Sequence, residues 1–425
     1  MDGEPPPSTV GNAGLVGPGG AAENGRDLRG APSTIHGTPL RLLEYPARTE
    51  VNRNFADRVG DDWDRCFLPE TLAGLVDGEP LASRAFVEDD NRSAIDPVPA
   101  ATLDGLPFYL SVKGVGSATD PFAHRPLGPA GAAELSDDPE VRQRLARAAA
   151  GGGVITGELW LRGSPYGGQG IRHARTALAV SERAEGTDLH GFRIAPVVKI
   201  AFLPPDLEAR LRSIYWYRRY REAFVQELRL VPSNVRFYFQ GRATVGDDAD
   251  RVFDLFGVDT PARAHRFLVN FVRSGVGFLT LFARTMEFDA ARRRYRGLDF
   301  SDVWLDKDAV LAPDGTAYFV DLEGIDPVGV EEADVPEKLE DQIFRSLYEF
   351  MFAYEQLDAA RAVRFGANGG RRPRFEGLLE EALATDRWVR LRRADGSLLL
   401  ELRERGGDER LKYAFPLVDH SRGEL

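Results

Sequence analysis

RGLDFSDVWLDKDAVLAPDGTAYFVDLEG, residues 296–324, contains the most informative pattern in the chain. Its acids are interrupted by apolar residues such as Trp304 and Leu305, whereas a solvated acidic loop is usually polar throughout. Four strand-like residues, 317–320, lead directly into Asp321. Carboxylate oxygens suit Mg²⁺ and Mn²⁺, so this acidic segment predicts a site for one of these ions. Its seven acids are Asp299, Asp302, Asp306, Asp308, Asp314, Asp321 and Glu323.

The patterns on the two sides of residue 245 differ. Strand candidates lie at 108–113, 154–162, 194–202, 227–231 and 235–239, with one prominent helix candidate at 171–184. Helix candidates lie at 262–272, 277–288, 338–357 and 374–384. We therefore predict an α+β protein with a β-rich N-lobe, 34–245, and a helical C-lobe, 246–425, that carries the metal-binding segment. This is the outline of a protein-kinase-like bilobal fold.

Composition narrows the function classes. No run approaches the roughly 20 apolar residues that span a bilayer, so we expect no membrane partner. The formal net charge of −12 argues against general nucleic-acid binding, which needs a basic face. Cys66 is the only cysteine, which excludes an intrachain disulfide and favours a cytoplasmic location. Residues 1–33 are rich in Gly and Pro and predict a disordered tail.

Lys113 ends the strand candidate at 108–113, and Gly114 and Gly116 follow it. An apolar strand that delivers one lysine is how kinase-like folds present a cation to nucleotide phosphates. The glycines allow the backbone to approach an anion closely. A lysine at the end of a strand that faces solvent is the alternative.

The helix candidate at 171–184 contributes two further features. Gly167 and Gly168 precede it, so their amides would lie near a helix N-terminus, where anions are favoured. Glu182 could pair with Lys113 and orient its ammonium. Ordinary turn glycines and an exposed carboxylate are the alternatives. The six histidines are dispersed, and the sequence has neither a GxSxG nor a GxxxxGK[ST] motif.

RLVPSNVRF, residues 229–237, resembles the Arg-x-Ala-Pro-Ser-x-x-Arg-Phe-Gly signature of the selenoprotein O family. Both sequences place two arginines seven residues apart. In that family the arginines clamp the phosphates of an ATP bound in a flipped orientation, so that AMP is transferred to protein hydroxyls. The resemblance therefore implies that Arg229 and Arg236 bind nucleotide.

Other pieces of the family pattern occur in the same order. LSVKGVG, 110–116, is similar to the family's lysine strand, and RGLDFSD, 296–302, is similar to its catalytic loop. The resemblance implies that Asp302 positions the acceptor and that Asp321 binds metal. Val303 stands where the family has a metal-binding Asn, so Asp306 or Asp308 would replace it.

These observations predict an ATP- and Mg²⁺- or Mn²⁺-dependent protein adenylyltransferase that acts on a protein substrate. Two alternatives stay open at this point. One is a protein or small-molecule kinase that transfers the γ-phosphoryl group. The other is a nucleotide-binding pseudokinase scaffold, which Val303 favours, as does Ala177 near the position of the family's helix glutamate.

Overall fold

The computed structural model describes residues 34–37, 39–57, 63–70, 76–89, 93–115, 130, 133–134, 136–150, 169–213, 222–236, 245–300, 308–366, 371–394, 397–402 and 414–416. These residues form antiparallel sheets and helices, so the predicted α+β class is confirmed. The predicted tail, 1–33, and the predicted strand at 154–162 lie outside them. No helix among the described residues combines the length and apolar character needed to cross a membrane.

A large antiparallel sheet dominates the first half. Its strands are β1 (Pro39–Pro46), β2 (Thr49–Val51), β3 (Arg65–Pro69), β4 (Ala82–Glu88), β5 (Ser93–Leu103), β6 (Leu106–Lys113), β7 (Gln169–Gly170), β10 (Val197–Phe202) and β11 (Phe224–Val231). Their order in the sheet is β2-β10-β11-β6-β5-β4-β1-β3, and β7 pairs with β11. The remaining elements are the hairpin of β8 (Asp188–Leu189) and β9 (Phe192–Arg193) and the helices α1 (Pro139–Ala150), α2 (Ile171–Ser181) and α3 (Pro205–Ser213).

The centre of this sheet follows from local sequence. Asp104 and Gly105 both have positive φ angles, 50° and 77°, as a tight two-residue hairpin requires. They join β5 to β6, so two long strands pair along most of their length. β6 and β11 are apolar on both faces apart from a few polar residues, which predicts central, fully buried strands.

The second half mixes helices with small sheets. Its helices are α4 (Val245–Leu255), α5 (Pro261–Leu279), α6 (Leu281–Thr285), α7 (Val335–Phe365) and α8 (Arg371–Leu383). Its strands are β12 (Glu287–Asp289), β13 (Arg294–Phe300), β14 (Ala309–Leu311), β15 (Ala317–Phe319), β16 (Ile325–Glu331), β17 (Val389–Ala394), β18 (Ser397–Leu402) and β19 (Ala414–Pro416). They pair as β12-β13-β16, β14-β15 and β17-β18-β19.

Two sequence predictions change in this half. The helix predicted at 277–288 is helical over most of its length but has other bounds, because α5 continues to Leu279, α6 covers Leu281–Thr285 and residues 287–289 form β12. Gly277 lies inside α5 and marks close packing: a Cβ there would lie 2.5 Å from the carbonyl oxygen of Gly191. The acidic segment at 296–324, whose first residues resemble a catalytic loop, begins as a strand, since β13 pairs with β16 and buries its last four residues.

Two hydrophobic cores lie on either side of the hairpin β14–β15. The sheet core is made mainly of residues from the large sheet, whereas the helical core contains residues from α2, from the second half and from strands β10 and β11. Central members of the sheet core are Leu42, Phe67, Phe108, Val112 and Leu228. Central members of the helical core are Phe267, Phe271, Phe282, Leu339 and Leu357.

The hairpin β14–β15 contributes to both cores because successive strand residues point to opposite faces. Val310 and Tyr318 belong to the sheet core, whereas Leu311 and Phe319 belong to the helical core. Backbone bonds fix it further: the amide of Ala195 donates to the carbonyl of Phe319 at 2.8 Å. The hairpin is therefore the element that joins the two cores.

The turn of this hairpin gives a stability prediction. Gly315 has a φ of +90°, and a Cβ there would lie 2.2 Å from the carbonyl oxygen of Phe267 in α5. We expect Gly315→Ala to lower the free energy of unfolding by roughly 3 kcal/mol or more, because backbone strain adds to the clash. Urea-induced unfolding measures this change.

Gly186→Ala is the matched control. Gly186 has a φ of +65°, but a Cβ there meets nothing within 4 Å. Its cost is therefore about 1 kcal/mol, from the left-handed backbone alone. Equal losses for the two variants would contradict the close docking of the hairpin on α5.

Candidate functional site

Lys113 is the cation of the candidate site. It ends β6 with only 2% of its surface exposed, and Gly114 follows it with a φ of +100°, a conformation that glycine adopts without strain. The Nζ atom contacts the carboxylates of Asp321 and Glu323. The structure thus brings together Lys113 and Asp321, two residues that the sequence predicts for one site.

Asp321 and Glu323 are placed by the hairpin β14–β15. Asp321 follows β15 after one intervening residue, and a 3₁₀ turn, Leu322–Gly324, then carries Glu323. The amide of Val320 donates to the carbonyl oxygen of Asp308 at 2.8 Å, and Asp308 is buried. Asp308 precedes β14 and Asp321 follows β15, so both residues lie at the open end of this hairpin.

Arg229 connects the sheet to the chain segment just before Asp321. Its Nη1 donates to the carbonyl oxygen of Val320 at 2.7 Å. Its Nε and Nη2 donate to the hydroxyls of Ser111 and Ser93, at 3.3 and 3.4 Å. The guanidinium is almost completely buried among these protein partners.

Arg236 is also buried, and its Nη2 donates to Asp89 Oδ2 at 2.9 Å. The two arginines lie near each other in the fold, since the amide of Asp89 donates to the carbonyl of Ser93 and the hydroxyl of Ser93 accepts from Arg229. The sequence predicts two phosphate-clamping arginines at an open site. The structure instead buries both against protein groups, because each guanidinium compensates polar groups between the strands.

Glu227 is a site residue that sequence reasoning missed. It lies on β11 directly opposite Lys113, in the register that pairs Arg229 with Ser111. Its Oε2 accepts from Gln169 Nε2 at 3.2 Å, and the residue has no exposed surface. A glutamate inside a strand with apolar residues at both ends, FVQELRLV, is the signal that could have identified it.

Glu182 does not meet Lys113 as predicted. It ends α2, and its Oε1 accepts from the backbone amide of Arg53 at 3.1 Å and lies 3.4 Å from the Arg53 Nε. The correction follows from the position of Glu182 beyond the last turn of α2, facing the segment after β2. The other predicted site residues, Gly116, Gly167, Gly168, Asp302 and Asp306, lie outside the described residues.

Two acids of the acidic segment serve the fold. Asp299 is buried and contacts Lys338, Gln342 and Arg345, all on α7. Asp314 accepts from the amide of Thr316 at 2.9 Å and so closes the β14–β15 turn. These two carboxylates are committed to the fold.

The electrostatics of the site centre on Glu323. Burial raises its pKa to about 8, and the charges of Asp321 and Glu227 act in the same direction, whereas Lys113 lowers the pKa. Its Oε2 is buried and has no hydrogen-bond partner. Three carboxylates, Glu227, Asp321 and Glu323, thus face two cations, Lys113 and Arg229, and the excess negative charge favours a proton on Glu323.

Asp321 and Glu323 fit a hard divalent cation. Both present carboxylate oxygens, and Glu323 Oε2 is an unsatisfied oxygen within the site. Within the described ranges, no three His, Cys, Asp or Glu side chains are arranged to hold a metal ion. Mg²⁺ commonly takes one or two carboxylates together with substrate phosphates, so two protein ligands are enough for a nucleotide site.

Comparisons of the chain with protein-family models, with curated proteins and with solved structures give no match. The geometry of this site and the sequence resemblance are therefore the guides to its function.

The raised pKa of Glu323 predicts a pH-dependent stability. The unfolded chain loses the Glu323 proton near pH 4.5, whereas the folded protein holds it to about pH 8. Stability from this group therefore falls as pH rises from about 4.5 to 8 and is level above. Glu323→Gln removes that loss, so we expect its stability relative to the wild type to increase by roughly 1–4 kcal/mol between pH 5 and pH 8.5.

Denaturant unfolding at several pH values, without divalent cations, measures the difference. Glu44→Gln is the control, because Glu44 is also a buried carboxylate. It lies on β1 beside Arg65 and Arg84. A stability difference for Glu323→Gln that does not change with pH, or that matches the control, would contradict the raised pKa.

Proposed function

We propose that the chain is an ATP- and divalent-metal-dependent transferase with a protein-kinase-like, two-lobed architecture, and that it transfers AMP to a protein hydroxyl. The observation that carries the proposal is the contact of Lys113 with Asp321 between the two cores. In kinase-like sites a strand lysine and an aspartate after a short hairpin serve the phosphates and the metal. A cytoplasmic location, where ATP is available, fits this activity.

Each residue of the site would have its own chemical role. Lys113 would neutralise phosphate charge, because its ammonium is rigidly placed and poorly solvated. Asp321 and Glu323 would hold Mg²⁺ or Mn²⁺, which supplies further neutralisation of the phosphates. Asp308, which the resemblance offers as a further metal ligand, lies at the same open end of the hairpin, where its carbonyl oxygen accepts from the amide of Val320. Asp302 would position the acceptor hydroxyl, as the resemblance implies.

The choice of AMP as the transferred group depends on Arg229 and Arg236. Their spacing is that of the selenoprotein O signature, and Ser93 and Asp89 link them within the face of the sheet that carries Lys113. Planar guanidinium groups bind phosphate oxygens in pairs. Each arginine would have to exchange a protein partner for phosphate, and this requirement makes the identity of the transferred group the decisive measurement.

Labelled ATP tests the proposal. We expect purified protein with Mg²⁺ or Mn²⁺ to transfer label from [α-³²P]ATP to protein and none from [γ-³²P]ATP, with a mass gain of one AMP on the acceptor. Asp321→Asn and Lys113→Met should each lower transfer by roughly a hundredfold or more, because each removes charge that neutralises the phosphates.

Asp96→Asn is the matched control. Asp96 is a buried sheet aspartate paired with Arg84 at 2.6 Å, so this variant should retain transfer. Transfer from the γ position instead identifies a kinase and overturns AMP transfer. Nucleotide binding with no transfer from either position identifies a scaffold. Absence of nucleotide binding overturns the proposed function as a whole.

A further inference from the structure

Glu227 has a geometry that the proposed function does not yet use. Cross-strand partners on an antiparallel pair point to the same face with Cβ atoms about 5 Å apart, and Glu227 is the cross-strand partner of Lys113. Arg229 and Ser111 form the next pair on that face. The side chains of Glu227 and Lys113 therefore leave the sheet on the same face from neighbouring positions.

The carboxylate of Glu227 is incompletely satisfied. Its Oε2 accepts from Gln169, but its Oε1 is buried without a hydrogen-bond partner and lies 3.7 Å from Arg229 Nη1. A buried carboxylate oxygen without a hydrogen bond destabilises the fold, and a hydrogen bond from a nearby donor would offset this desolvation penalty. The negative charge of Glu227 also contributes to the raised pKa of Glu323, whose carboxylate contacts Lys113.

Two partners of Lys113 have a competing role. Asp321 and Glu323 hold the ammonium here, yet the proposed function assigns both carboxylates to a cation. A carboxylate on the strand next to Lys113 keeps its position when those two serve the cation. Helix α2 has no carboxylate at the position of the family's helix glutamate, because Ala177 lies near that position. Glu182, which follows the helix, contacts Arg53 instead.

We infer that Glu227 is the positioning residue for Lys113, acting from the neighbouring strand in place of a helix glutamate. It orients the ammonium toward the nucleotide phosphates when Asp321 and Glu323 hold the cation. This inference rests on the proposed function. Because β11 and β6 are paired along their length, the orientation is fixed by sheet register and does not depend on the movement of a helix.

Glu227→Gln tests the inference, because it keeps the size of the side chain and removes its charge. We expect the dissociation constant for Mg·ATP, measured by calorimetry, to rise about tenfold, as loss of a charged hydrogen bond predicts. The melting temperature should change little, because the substitution keeps the acceptor for Gln169 and removes a buried carboxylate that has one oxygen without a hydrogen bond. Glu227→Asp, which keeps the charge, should retain more affinity than Glu227→Gln.

A double-mutant cycle separates positioning from a general structural effect. In a Lys113→Met background, Glu227→Gln should change Mg·ATP affinity by less than about twofold, because the ammonium that it orients is absent. Glu44→Gln, at a buried carboxylate on β1, should leave the affinity unchanged in either background.

The outcomes are distinguishable. A wild-type protein that binds no Mg·ATP overturns the proposed function, and this inference with it. A wild-type protein that binds Mg·ATP while Glu227→Gln binds equally well overturns the inference alone. Independent, additive effects of Lys113→Met and Glu227→Gln on affinity also overturn it, because a positioning residue acts only through the group that it positions.

Discussion

The buried ammonium of Lys113 is the constraint on which the arrangement of the two cores depends. An ammonium without charged partners in this position would be strongly unfavourable, so strand β6 can bury it only where carboxylates approach. Asp321 and Glu323 supply them, and both come from the segment directly after the hairpin β14–β15. The sheet core is therefore complete only when the hairpin is docked.

The docking of the hairpin is over-determined, and this keeps the site geometry fixed. Alternate residues of its two strands enter the two cores, so sliding it by one residue would exchange both sets at once. Arg229 adds a side-chain link by donating to the carbonyl oxygen of Val320. Val320, the residue before Asp321, is thus bonded to β11, the strand that also carries Glu227. The same strand therefore fixes the positions of both Glu227 and Asp321.

Sequence reasoning identified the residues with strong local signals and missed those whose role depends on register. The sequence predicts the apolar strand at 108–113 with its terminal lysine and the strand before Asp321, because periodicity and an adjacent charge mark both. It does not predict the strand at 296–300, since only pairing with β16 makes these residues a strand. It predicts a helical partner for Lys113, Glu182, because a single sequence does not show which strands are neighbours.

Under the proposed function, the charge balance of the site would link binding of nucleotide to binding of a cation. Lys113 would receive a phosphate only if Asp321 and Glu323 released its ammonium. Those carboxylates would repel a bare polyphosphate, and Glu323 favours a proton over ionisation. A polyphosphate that brings a divalent cation would match both requirements, since the carboxylates would exchange an ammonium for the cation and Lys113 would gain the phosphate. The strands that carry Glu227 and Lys113 are paired, so the exchange would leave the register of these two residues unchanged.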